Sequence, residues 1–305
     1  MTKNLNNLFQ LPSQLQPIDL GAFGIFNKQV FIKRDDLIHP IVSGNKWRKL
    51  KYNIQEYFAG NYTGIVTFGG AHSNHIIATS YLANFCGIPT IIIIRGEEPK
   101  KLSPTLKKCK NLGVQLNYVT REAYKSLINN AELIDEQYLN YFVIPEGGAN
   151  VFGIKGCEDI VEEINIDFDE LYCDVGTGAT LVGIARKLKT RQSVRGVVVL
   201  KGAEYLNNLI SNLASKKTYT NKIKLLHNYH FGGYAKNNKE LVLFMRKFYD
   251  ATGIKTDPIY SAKMFYGMVD QLKLNNNEKT IIALHSGGIQ GIEGFEERYK
   301  LKIYK

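Results

Sequence analysis

The sequence predicts an α/β fold of two domains, each a twisted, mostly parallel sheet flanked by helices. Three observations predict it. Between residues 64 and 144, short β-branched runs alternate with helical patterns, as they do in βαβ units. The run 89–95 (Pro-Thr-Ile-Ile-Ile-Ile-Arg) is apolar without alternation, as in a strand covered on both faces. The alternation stops at Pro145-Glu146-Gly147-Gly148-Ala149-Asn150, a hinge or crossing, and resumes beyond it. A chain of 305 residues has the length for two modest domains. The expected division is a larger domain from residues 1–47 and 153–305, and a smaller inserted α/β domain from 48–152.

The elements follow in order. Residues 1–29 carry few signals, and Pro12 and Pro17 interrupt any regular element there. Residues 30–34 read as a strand, followed by Asp35-Asp36. That pair reads as a turn with ion-pair partners in Lys33 or Arg34, or alternatively as an acid pair or metal ligands. Residues 47–58 place Trp47, Leu50, Ile54 and Tyr57 on one helical face, and Gly60 ends that helix. Strands are expected at 64–68, 89–95, 114–119 and 141–144, with helices at 74–85, 103–112 and 122–138 between them. Past the hinge come a helix at 153–164, a strand at 171–175 and a helix at 181–188. A strand at 196–200 and a helix at 205–214 follow. Residues 215–237 are rich in Lys, Asn, Tyr and Gly and predict no element. Helices at 240–252 and 262–274, a strand at 280–285, the loop Ser286-Gly287-Gly288 and a last helix complete the chain.

Composition excludes several classes. Hydrophobic residues make up 44% and charged residues 22%, as in a globular chain with a buried core. The net charge is +11, but the lysines are spread along the chain. This reads as a solvated surface with some attraction for anionic small molecules, and no nucleic-acid partner is expected. Cys86, Cys109, Cys157 and Cys173 form no C-x-x-C pair, so neither a disulfide frame nor a zinc site is expected. The apolar run 91–94 is far too short to span a bilayer, and the first seven residues are polar. The expectation is a soluble cytoplasmic protein. His72 and His75 lack a third ligand at metal-binding spacing, so no metal is expected.

In open parallel sheets, sites form at the carboxyl ends of strands. The stretch Ser43-Gly44-Asn45-Lys46-Trp47-Arg48-Lys49-Leu50 is a polar turn running into a helix. Lys46 falls in the first helical turn, where the helix dipole and burial lower a lysine pKa. A lysine that forms an imine with a carbonyl cofactor needs that setting; the alternative is a surface lysine in a basic helix start. Gly176-Thr177-Gly178-Ala179-Thr180 offers clustered N–H groups at a helix start for one phosphate, unless it is a simple tight turn. It is neither a P-loop nor G-x-G-x-x-G. Ser73-Asn74-His75 places a hydroxyl, an amide and an imidazole at another helix start, where ordinary N-capping is the alternative. Tyr234 and Tyr260 lie in turn-like segments before helices and are candidate proton carriers or carboxylate partners.

Taken together, these motifs resemble the fold-type II pyridoxal-phosphate enzymes, whose fold is that of the tryptophan synthase β subunit. More closely, they resemble the 1-aminocyclopropane-1-carboxylate (ACC) deaminase/D-cysteine desulfhydrase family. The ordered set runs Lys-Arg-Asp-Asp, Ser-Gly-Asn-Lys, Gly-Gly-Ala-His-Ser-Asn-His, Pro-Glu-Gly-Gly-Ala, Gly-Thr-Gly-Ala-Thr, Asp-Pro-Ile-Tyr and His-Ser-Gly-Gly, and spans nearly the whole chain. The resemblance implies pyridoxal 5′-phosphate in a cleft between the domains, bound covalently by Lys46. It implies Asn74 at the pyridoxal 3′-oxygen, Gly176, Thr177, Gly178, Ala179 and Thr180 at the phosphate, and Ser286 beside the ring. Ser73 would hold the substrate carboxylate or assist proton transfer, and Tyr234 and Tyr260 would face the substrate. His75 belongs with Ser73, Ser261 and Ser286 among the residues that set substrate choice. A homodimer is the family's habit.

Within the resemblance, ACC deaminases tend to have Glu after the second tyrosine and Leu before the final Gly-Gly. Desulfhydrase-type members have small hydroxyl residues at both places, as do Ser261 and Ser286 here. A neutral hydroxyl near the pyridine nitrogen does not keep it protonated as a carboxylate does. This favours β-elimination from a substrate with a good leaving group, most simply D-cysteine giving pyruvate, sulfide and ammonia. The alternatives are ACC deamination and, from another class, a non-catalytic pyridoxal-phosphate-binding protein.

Overall fold

The strand–helix alternation resolves into two sheets in the computed structural model, which describes residues 5–275 and 277–304. In chain order the first elements are β1 (Leu15–Ile18), β2 (Lys28–Lys33) and α1 (Asn45–Ala59). Next come β3 (Gly64–Gly69), α2 (Asn74–Cys86), β4 (Thr90–Arg95), α3 (Pro104–Asn111), β5 (Gln115–Val119), α4 (Arg121–Asn129), α5 (Ala131–Gln137) and β6 (Tyr141–Ile144). The chain continues through α6 (Val151–Glu162), β7 (Glu170–Val175), α7 (Ala179–Lys187), β8 (Ser193–Val198), α8 (Leu206–Ala214), α9 (Lys217–Thr220) and β9 (Ile223–Leu226). It closes with α10 (Lys239–Thr252), α11 (Ser261–Lys273), β10 (Lys279–Leu284) and α12 (Gly291–Tyr299).

The smaller sheet has the order β5-β4-β3-β6 and is parallel throughout. The larger has the order β1-β2-β10-β7-β8-β9, in which only β1 runs antiparallel. β3 and β7 are buried at every position, which explains their lack of alternation. The expected domain boundaries at 47/48 and 152/153 fall inside α1 and α6. These two helices pack together so closely that a Cβ on Gly156 would lie 1.8 Å from the Arg48 carbonyl oxygen.

Three expectations are corrected. Residues 15–18 form a strand despite Pro17, because β1 is the edge of its sheet, where a missing N–H does no harm. The helix expected over 122–138 breaks at Asn130, whose backbone is extended (φ −130°, ψ 101°). Residues 215–237 contain α9 and the edge strand β9, paired to β8. No helix among the described residues is long and apolar enough to cross a membrane. All four cysteines are free.

A buried ionic cluster locks α1 between the halves. Arg48 is fully buried and donates to both oxygens of Asp35, at 3.0 and 2.9 Å, and to both oxygens of Glu163. Lys33 adds a bond to Glu163 at 2.8 Å. The expectation for Asp35-Asp36 holds in part: Arg34 pairs with Asp36, whereas Lys33 goes to Glu163. Burial alone would raise the Glu163 carboxyl, but hydrogen bonds and charge from Arg48 and Lys33 hold it at about 2. Its folded pKa is thus depressed from 4.5, so its contribution is full above pH 4.5 and lost as pH falls toward 2. Unfolding free energy measured by urea titration is expected to drop by ~3 kcal/mol over that window through this group. Glu163→Gln should remove that part of the pH slope.

Candidate active site

Lys46 stands second in α1, after a turn that only glycine makes. Gly44 has φ +63° and ψ −143°, and a Cβ there would lie 1.8 Å from the Ser286 carbonyl oxygen. The same carbonyl accepts from Asn45 N at 3.2 Å. The start of α1 is therefore pressed onto the loop after β10. Gly44→Ala combines a disfavoured backbone with this clash. It is expected to weaken pyridoxal-phosphate binding tenfold or more, equivalent to ~1.4 kcal/mol, in a fluorescence titration.

Lys46 is half-buried, and its amine donates to Asn45 Oδ1 at 2.5 Å. Its pKa falls to about 8, first through burial and next through Lys49; Asp174 and Asp257 oppose the shift. The sequence pointed to burial and the helix dipole, whereas the neighbouring charge found here is Lys49. That lysine is one turn on, is 5% exposed, and makes no ion pair or hydrogen bond through its ammonium among the described residues. Burial lowers its pKa as well.

The phosphate-cradle candidate sits where β7 ends. Gly178, with φ +84°, opens α7, whose first N–H groups have no intrahelical acceptor. Thr177 Oγ1 is buried without a hydrogen-bond partner. Thr180 is buried and accepts from Asn45 Nδ2 at 3.3 Å, tying the cradle to the residue before Lys46. Gly176 and Ala179 complete the loop, and a Cβ on Gly176 would touch the Tyr260 ring at 3.5 Å.

The other predicted residues divide into those that reach this centre and those that support it. Ser73 caps α2, its Oγ accepting from His75 N at 3.2 Å, so ordinary N-capping is part of its role. Asn74 reaches the loop after β10, its Nδ2 lying 3.4 Å from where a Gly288 Cβ would sit. His75 is 1% exposed and bonded through Nε2 to Thr67 Oγ1 at 2.8 Å. The Thr67 hydroxyl donates to the Ile144 carbonyl, so it accepts from His75 Nε2–H. Burial, then Lys46 and Lys49, lower the imidazole to about 3, and it stays neutral.

Tyr234 and Tyr260 come together edge to face, with ring centroids 6.1 Å apart. Tyr234 is exposed as a residue, yet burial raises its pKa; burial pushes Tyr260 well up, and both phenols stay protonated. Tyr234 also lines a cleft shared with His72 and Thr105 from one half and Ile259, Gln290 and Arg298 from the other.

The two serines behind the substrate argument are not isolated hydroxyls. Ser286 donates to Asp174 Oδ1, and burial raises the pKa of that aspartate. Asp174 lies in β7 and Ser286 in the loop after its neighbour β10. Ser261 is fully buried and bonded to Asp257 Oδ2 at 2.7 Å, while Asp257 also accepts from the backbone N–H groups of Ile259, Tyr260 and Ser261. Ser261 is thus tied to Asp257 through both its backbone N–H and its hydroxyl. Sequence reasoning missed Lys49, Asp174 and Asp257. The available signals were a lysine one turn from Lys46 and an aspartate inside the apolar run 171–175.

A partly free amine beside a cradle with an unpaired hydroxyl and an uncompensated buried lysine fits pyridoxal phosphate, and defines an enzyme of that cofactor class. The match extends along the chain. Residues 12–287 match the pyridoxal-phosphate dependent enzyme family, and the chain belongs to it. Pyridoxal 5′-phosphate is its cofactor. A Pyrococcus horikoshii protein provisionally named a 1-aminocyclopropane-1-carboxylate deaminase is 32% identical over 86% of this chain and 85% of its own. An Arabidopsis thaliana bifunctional D-cysteine desulfhydrase/1-aminocyclopropane-1-carboxylate deaminase is 28% identical over 87% and 73%. A D-cysteine desulfhydrase of Klebsiella pneumoniae is 25% identical over 86% and 87%. Among solved structures, an ACC deaminase homologue superposes with a TM-score of 0.80 at 27% identity, covering 95% of this chain and 94% of its own. These relatives are named as enzymes and lend no support to the non-catalytic alternative.

Proposed function

We propose that the protein catalyses α,β-elimination of a small amino acid, most directly D-cysteine plus water to pyruvate, hydrogen sulfide and ammonia. The observation that carries this reading is that the 176–180 loop meets both groups: Asn45, which accepts from the Lys46 amine, donates to Thr180 Oγ1, and the Tyr260 ring, edge-on to Tyr234, lies 3.5 Å from where a Gly176 Cβ would sit. When bound, the cofactor supplies the electron sink for charge at the substrate α-carbon. Lys49 and residues 176–180 hold its phosphate by charge and N–H donors. Ser73 and the N-terminus of α2 take the substrate carboxylate. Lys46 takes the α-proton, since its amine is partly free at neutral pH. Tyr260, with Tyr234 beside it, delivers a proton to the leaving group.

ACC deamination is the second reading, favoured by the buried Asp174 and Asp257 behind the two serines. With carboxylates there, the hydroxyls of Ser261 and Ser286 do not by themselves decide protonation at the pyridine. Turnover of the loaded protein on D-cysteine, L-cysteine and ACC, followed as sulfide and keto acid, separates the readings. Sulfide and pyruvate from D-cysteine are expected. Keto acid from ACC alone would replace the first reading by the second.

A further inference from the structure

Tyr234 lies in a segment without a strand or helix of its own, between β9 and α10. Phe231, Gly232, Gly233 and Ala235 all have positive φ, at 48°, 84°, 114° and 51°. The backbone carbonyls on either side of Tyr234 are each held by a distant side chain. Lys263 Nζ donates to the Gly233 carbonyl at 2.8 Å and to the Val199 carbonyl, at the end of β8, at 3.2 Å. Tyr299 OH donates to the Ala235 carbonyl at 2.8 Å.

Lys263 is fully buried, and among the described residues its ammonium bonds only these neutral carbonyls. Burying a cation on such acceptors is costly, and a methionine would fill the same space without that penalty. The charge is placed where it does something packing does not. Tyr260 caps α11, and Lys263 stands three residues later on that helix. One helix therefore presents Tyr260 and grips the residue before Tyr234, while α12 grips the residue after it.

We propose that Lys263 and Tyr299 are positioning residues for Tyr234. They fix the peptides flanking it and so hold its phenol edge-on to Tyr260. The proposal rests on the reading of Tyr234 as part of the proton-transfer machinery. Its test compares Lys263→Met, Tyr299→Phe, Tyr234→Phe and the double variant Lys263→Met/Tyr234→Phe as holoenzymes. Lys263→Met is expected to lower kcat by about 10–100-fold with KM little changed, and to speed amide hydrogen exchange across 231–236. Tyr299→Phe, which loses only a hydroxyl, should shift both in the same direction by less, and provides the readout if Lys263→Met does not fold. In the Tyr234→Phe background, Lys263→Met should cost no further activity. An equal loss with and without Tyr234, or unchanged kcat and exchange in both single variants, would overturn the proposal. Full turnover by Tyr234→Phe would instead remove the reading on which it rests.

Discussion

Lys46→Ala is expected to lower turnover by about 10⁴-fold or more while leaving the fold in place. Among the described residues the side chain donates only to Asn45 Oδ1, beside it in sequence, so little of the architecture depends on it. On the proposed reading, its removal takes away both the covalent attachment point and the base. The visible absorbance of the bound cofactor should shift to that of free pyridoxal phosphate, and circular dichroism should be unchanged. The pH dependence has a definite sign. The amine pKa is lowered to about 8, so the free base is a minor form at pH 7 and predominates above 8. Borohydride trapping of the cofactor on the apoprotein should therefore rise through pH 8 and then level off. Near-normal turnover of Lys46→Ala would refute the site.

The second large effect is on stability. Arg48→Met removes the cation between Asp35 and Glu163, leaving buried Asp35 without a cation and Glu163 with Lys33 alone. Breaking a buried pair from one side costs ~3–5 kcal/mol, well beyond the worth of the pair against a good apolar replacement. A large fall in the urea midpoint is expected. Arg48→Lys should recover only part of it, because an ammonium lacks the planar fork that reaches two carboxylates at once. An unchanged midpoint for Arg48→Met would show that the cluster contributes nothing net. The site should suffer as well, since Arg48 is two residues from Lys46 on α1.

Much of the fold was legible because its signals are local. β4 reads as a covered strand from Ile91, Ile92, Ile93 and Ile94 alone. The loops after β3, β7 and β10 stand out because they must turn tightly, and Gly44, Gly178 and Gly288 meet backbone demands that other residues meet poorly. What local pattern missed were the edge strands β1 and β9, which need only one neighbour and tolerate Pro17 or a polar setting. The helix break at Asn130 was missed for a related reason, since Asn at a helix end and Asn inside a helix look alike in sequence.

By itself, then, the sequence determined the alternating fold and the family, and it singled out Lys46 and the 176–180 loop as the candidates for holding the cofactor. These are written in contiguous residues whose backbone or chemistry is specific. Only the tertiary structure decided which charges matter. Lys49, Asp174, Asp257 and Lys263 look ordinary in the chain, and they become consequential because the fold buries them beside Lys46, Ser286, Ser261 and the Tyr234 loop. The physical reason is desolvation. A charge in water is screened and interchangeable with its neighbours, whereas a buried one needs a partner and shifts every titrating group around it.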